Sequence, residues 1–192
     1  MSESTTSTEA DYGPLTGLIG TWQGDKGLDI APGPEGTENN PYYETIEYSA
    51  CGNITNAETQ VLAALYYRQI VKRKSNDGVF HDQTGYWMWD VARQLIMHSL
   101  SIPRGVCVLA GGRYSGSKAP TGEVIIEVTA QADDVDWGII QSPFMAGNAR
   151  TTTFSQSIAV GNGKLSYTQT TMVDIYGNTF EHTDKSELVL SS

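Results

Sequence analysis

Along most of the chain apolar and polar residues alternate, and the alternating runs are short. The plainest are YYETIEYS at 42–49, TGYWMWD at 84–90, LIMHSLSI at 95–102, EVIIEVTAQ at 123–131, KLSYTQTTMVDI at 164–175 and FEHTDKSELVL at 180–190. A period of two turns successive side chains to opposite faces of a strand, so each run reads as a strand with one face inward. Turn signals cut the runs apart: PGPEG at 32–36, SNDG at 75–78, GNG at 161–163 and YGN at 176–178. About nine or ten strands at hairpin spacing predict an all-β, antiparallel domain. A sandwich and a single up-and-down β-barrel both fit, and closure into a barrel disposes of the exposed edges. PLTGLIG at 14–20 is expected to form a short helical plug or turn. A meander barrel of about eight to ten strands leaves an interior too wide for side chains alone, so a ligand cavity is expected with it.

Length and composition narrow the class. The chain has 192 residues, 39% of them hydrophobic and 18% charged, as one globular domain requires. The polar start, MSESTTSTEADYG, lacks the apolar segment of a secretory signal. Residues 1–12 therefore read as a disordered leader and 13–192 as the domain. No apolar run is long enough to span a membrane, and the cytoplasm is the expected location. The formal net charge of -10 argues against nucleic acid as a partner. The one basic cluster, RQIVKRK at 68–74, alternates like a solvated strand edge. Two cysteines, Cys51 and Cys107, are too few for a disulfide framework or a cysteine-based zinc site. Cys107, within VCVLAGG, is expected to be a small buried side chain. QADDVDWG at 131–138 lacks calcium-loop spacing and reads as an acidic surface turn. No nucleophile elbow or comparable serine setting occurs.

Three stretches carry more. LIGTWQGDKG at 18–27 contains G-x-W-x-G at Gly20, Trp22 and Gly24, where Trp22 is placed to close one end of a barrel. FHDQTGYW at 80–87 holds His81, followed by an acidic residue, a glycine and aromatics. The last hairpin, TQTTMVDIYGNTFEHTDKSEL, holds Met172 and His182. Taken in order over residues 13–190, these motifs and IMHSLSIPRGVCVLAGGRYSG resemble the nitrobindin family, haem-binding β-barrels related to the C-terminal domain of a human THAP protein. The resemblance implies a ten-stranded antiparallel barrel of fatty-acid-binding-protein, calycin-like type with one b-type haem at one mouth. It also implies ferric-haem chemistry on nitric oxide and peroxynitrite, whose isomerisation gives nitrate. The chain departs from the family in two ways. Lys26 displaces the third glycine of the first motif to Gly27, and the segments 28–42 and 115–140 are long enough to reshape the cavity mouth.

Period two puts Phe180, His182 and Asp184 on one face of the last strand. His182 is then the candidate axial iron ligand or an ordinary barrel-interior histidine; the resemblance favours the ligand. Asp184 is either its orienting partner or a solvated rim residue. A hairpin turning about Gly177 would set Met172 directly across from His182, beside the macrocycle. His98 shares a face with Ile96, Leu100 and Ile102. By the resemblance, His98 lines the cavity and His81 lies near the open side of the haem. The three histidines follow no recognised zinc spacing. The alternative function is a non-enzymatic carrier of a lipophile such as a fatty acid, with Arg104, Arg113 or Arg150 meeting its carboxylate. A barrel that recognises another protein is a third.

Overall fold

The computed structural model describes residues 9–191, and residues 1–8 of the expected leader lie outside the described residues. A 3-10 helix, Gly13–Leu18, precedes the first strand. Five strands follow in meander order: β1 (Gly20–Gly33), β2 (Gly36–Ala57), β3 (Gln60–Arg73), β4 (Val79–Asp90) and β5 (Leu95–Ile102). Then come β6 (Val106–Arg113), β7 (Val124–Gln131) and the short β8 (Ile139–Gln141). A six-residue helix, α1 (Pro143–Asn148), leads into β9 (Ala149–Gly161), β10 (Lys164–Ile175) and β11 (Asn178–Leu190). Strands β1 to β7 pair antiparallel in sequence order, β9 pairs with β7 and β10, β10 with β11 and β11 with β1, and the β5–β6 ladder closes the ring. β7 and β8 meet opposite ends of β6, at Gly111 and at Val106–Val108, so together they form one interrupted stave. The result is a closed ten-stave barrel: the alternation admitted a barrel or a sandwich, and the resemblance implied the barrel. No helix among the described residues is long and apolar enough to cross a membrane.

One end is plugged. Leu15 and Leu18 of the 3-10 helix are fully buried, and the Trp22 indole donates to the Leu18 carbonyl at 2.7 Å. Tyr12, just before the helix, packs on the core, and its hydroxyl accepts from the Gly52 amide at 2.9 Å. Trp22, Trp87, Leu65, Ile126, Ile158 and Leu165 fill the plugged half. The other half of the barrel stays open.

The departure at Lys26 is absorbed by a β-bulge. Gly24 pairs with Glu44 and Gly27 with Tyr42, so β1 spends three residues where β2 spends two. Lys26 points out and pairs with Glu187 at 2.8 Å, while Gly27 returns to the interior. Only glycine fits there, because a Cβ on residue 27 would lie 2.0 Å from the Tyr42 ring. The extra residue also inverts the parity of the rest of β1. Counting by twos from Trp22 points Asp29 outward; after the bulge Asp29 faces in and is buried.

Two expectations are overturned. Cys107 is exposed, because β6 turns Val106, Val108 and Ala110 inward and leaves Cys107 and Leu109 outside. Met172 does not oppose His182. The last hairpin turns on two residues, Tyr176 and Gly177, both with positive φ, rather than on Gly177 alone. The ladder therefore pairs Thr171 with His182 and Met172 with Glu181. That slip of one residue puts Met172 on the opposite face of β10 from the cavity-lining Thr171 and Val173.

Candidate functional site

The open half of the barrel holds a cavity of about 420 Å3, within the usual range for small-molecule sites. Its wall is largely apolar, with Val71, Phe80, Leu100, Ile102 and Phe154 prominent. The long 28–42 segment is the extended β1–β2 hairpin, and it supplies Asp29, Asn40 and Tyr42 to this wall. Arg73 and Arg104 bring guanidinium groups to the lining, and Arg73 lies 4.2 Å over the Phe80 ring.

His182 sits in this wall on β11, with Asp184 two residues on along the same face. Asp29 is the direct cross-strand partner of Asp184. The three side chains therefore converge. His182 Nε2 lies 2.6 Å from Asp29 Oδ1 and 3.6 Å from Asp184 Oδ2. Asn40 holds the other oxygen of Asp29, donating from Nδ2 at 2.9 Å. Burial by itself would push the His182 imidazole down; the hydrogen bond to Asp29 and the charge of Asp184 outweigh it, and the net shift is upward. Burial, aided by the neighbouring Asp29 and Glu44 charges, pushes the Asp184 carboxyl up against the opposing pull of His182.

His81 lines the same cavity from β4. Its Nε2 is 3.2 Å from Gln83 Oε1, Gln83 Nε2 donates to the Tyr67 hydroxyl at 2.6 Å, and that hydroxyl is 2.8 Å from His98 Nε2. One direction satisfies the whole chain: His81 donates to Gln83, Gln83 to Tyr67, and Tyr67 to His98. His81 then keeps Nδ1 as its acceptor nitrogen, and burial holds it neutral by lowering its pKa. His98 stands behind the cavity rather than on its lining. It is fully buried and stacked on Trp87 at 3.9 Å and 10°, with Nδ1 lacking a partner. Burial lowers its pKa to about 3. The expected position of His98 beside a bound ligand is thus replaced by a link through Tyr67.

A second polar group closes the floor. Gln69 donates to Glu44 at 2.6 Å, Tyr167 donates to the same carboxyl at 3.0 Å, and the Tyr42 and Tyr167 hydroxyls are 2.7 Å apart. Burial pushes Glu44 upward, against these bonds that favour the carboxylate. Of the arginines weighed for a carrier, Arg104 reaches the lining, Arg113 is exposed, and Arg150 pairs with Asp133 at 2.6 Å on the outer surface.

The structure therefore brings His81 and His182 together and leaves Met172 outside. Sequence reasoning missed Asp29, Gln83 and the Glu44 group. Only the step of three from Gly24 to Gly27, one residue more than the alternation of Gly20, Trp22 and Gly24, hinted that Asp29 turns inward.

A family model described as "THAP4-like, heme-binding beta-barrel domain" matches residues 11–189. Among solved structures, the crystal structure of Rv2717c from M. tuberculosis matches with a TM-score of 0.69 at 20% identity, covering 93% of this chain and 95% of that one. At that identity the likeness is one of fold. No curated protein sequence matches the chain.

Proposed function

We propose that this chain, which belongs to the THAP4-like heme-binding β-barrel domain family, holds one b-type haem in its open cavity with His182 as the axial ligand. The observation that carries this is the setting of His182: an imidazole in an apolar cavity wall, with one ring nitrogen 2.6 Å from a buried carboxylate. Metal-bound histidines commonly have one nitrogen fixed by such a partner and coordinate through the other, and either nitrogen can take either part. The donor chemistry fits. Arg73 and Arg104 add the guanidinium groups that suit the carboxylates of a porphyrin.

When bound, ferric haem supplies a Lewis-acidic, nitric-oxide-reactive iron able to isomerise peroxynitrite to nitrate. The chain's own part is to hold and screen. Asp29 orients His182, and the Leu100, Ile102 and Phe154 side chains keep the cavity wall dry. His81, neutral and tethered through Nε2, presents an acceptor nitrogen to a ligand that carries a proton. The test is stopped-flow decay of peroxynitrite with haem-loaded protein. The proposal expects faster decay and a higher nitrate yield than with free hemin, and loss of both in His182→Ala.

Arg104 on an apolar cavity wall favours a second reading, a carrier of a lipophilic carboxylate. Lipid that co-purifies with the wild type and is lost in Arg104→Ala would support the carrier over the haem protein.

A further inference from the structure

Asp29, His182 and Asp184 form a donor cluster that is in place without haem. Their ligand atoms, two carboxylate oxygens and one imidazole nitrogen, all lie within 4.8 Å of one another. The arrangement follows from the sheet. His182 and Asp184 stand at i and i+2 on one face of β11, and Asp29 is directly opposite Asp184 on β1. Two residues at i, i+2 and a cross-strand third form a triangle on one side of a sheet.

The triangle is close to what a small cation needs. Bonds of about 2.0–2.2 Å place adjacent ligand atoms about 2.8–3.6 Å apart in octahedral or tetrahedral geometry. Here Nε2 is 2.6 Å from Asp29 Oδ1 and 3.6 Å from Asp184 Oδ2, and the carboxylate oxygens lie within 4.8 Å of one another, so side-chain rotation alone can close the set. Asn40 already pins Asp29 through its other oxygen, the kind of outer partner that orients metal ligands.

The charge balance points the same way. The Asp29 and Asp184 side chains are only 6% and 21% exposed, and among the described residues neither is paired with a lysine or arginine. Two carboxylates drawn out of water beside a single imidazole carry an excess negative charge. A divalent cation neutralises it in place of the protons that His182 and Asp184 otherwise take up.

We infer that Asp29, His182 and Asp184 form a binding site for a divalent transition metal, with open coordination positions facing the cavity. One nitrogen and two carboxylate ligands, with no thiolate, select Zn2+, Mn2+, Fe2+ or Co2+ rather than Cu+, and three ligands are too few for a protein-built Ca2+ cage. Haem iron on Nδ1 needs the proton on Nε2 that Asp29 accepts, whereas the cation needs Nε2 bare, so a neutral His182 serves one or the other.

The experiment uses the full chain, stripped with chelator and titrated with Co2+ by visible absorption and with Zn2+ by calorimetry. The expected result is one saturable equivalent, weakened at least about tenfold in Asp29→Asn and in Asp184→Asn. Asp133→Asn, on the exposed acidic turn, leaves it unchanged. Equal binding by wild type, Asp29→Asn and Asp184→Asn overturns the site, as does no saturable binding by a chain whose circular dichroism is intact. Hemin added to parallel samples separates the two readings. Hemin without Co2+ binding removes this site and leaves the haem proposal standing; Co2+ without hemin binding does the reverse.

Discussion

Burial of His98 makes the barrel acid-sensitive by a calculable amount. Its ring is fully enclosed by Trp87, Tyr67 and Phe154, none of them charged at neutral pH, and burial alone lowers its pKa from 6.5 to about 3. The unfolded chain therefore binds a proton at this side chain that the folded chain refuses between those two values. Stability rises with pH across the window and is lost as pH falls below 6.5. Each pH unit corresponds to about 1.4 kcal/mol, so about two units of acidification cost about 2.7 kcal/mol, and the whole window about 4.8 kcal/mol at most. The perturbation is His98→Phe, which keeps an aromatic ring against Trp87 and removes the titrating nitrogen. It gives up the Tyr67 bond and also the unpartnered Nδ1, effects of similar size and opposite sign. Urea unfolding between about pH 7 and pH 4.5 is the assay, read as the difference between variant and wild type so that other titrating groups cancel. The variant should gain on the wild type by about 1.4 kcal/mol per unit of acidification. Parallel curves would show that His98 is not held neutral by burial.

Gly27→Ala drives a Cβ into the Tyr42 ring and should lower stability by about 1–3 kcal/mol, measured as a drop in thermal midpoint; an unchanged midpoint would mean that the bulge does not fix that contact. Glu44 has a raised pKa in the fold, so its contribution is present below the ordinary carboxylate range and is lost as pH rises through the raised value. Glu44→Gln should therefore remove a decline in wild-type stability as pH rises out of the ordinary carboxylate range, and a decline that persists in the variant would assign it to another group. Met172→Ala should leave hemin affinity as it is, since Met172 faces away from the cavity; a weakened complex would restore the register in which Met172 opposes His182.

Much of the barrel is legible in period-two alternation, because a strand with one buried face has little freedom to hide its pattern. The runs around Trp87, Ile126 and Tyr167 show this, as does the inward turn of His182 between Phe180 and Asp184. What alternation cannot carry is parity across an irregular step. The bulge at Asp25 and Lys26 reverses the facing of Asp29, and Leu28 and Ile30 disguise the reversal by placing apolar residues on the outer face. The turn at Tyr176 and Gly177 moves the last hairpin by one residue and takes Met172 out of the site. Depth is equally hidden: Leu100 and His98 share a face of β5, yet only Leu100 reaches the cavity, because Tyr67 and Trp87 close over His98. Cys107 shows the opposite case, where plain alternation from Val106 and Val108 places it outside and the local run of small apolar residues misleads.

The most direct test of the central claim is a hemin titration of the purified chain, followed by Soret absorption and compared with His182→Ala. The account predicts a shifted band that saturates at one equivalent in the wild type and is absent from a His182→Ala variant that melts as a folded protein. A band of equal position and strength in both would contradict it, because the haem would then be held without the histidine that the barrel turns inward.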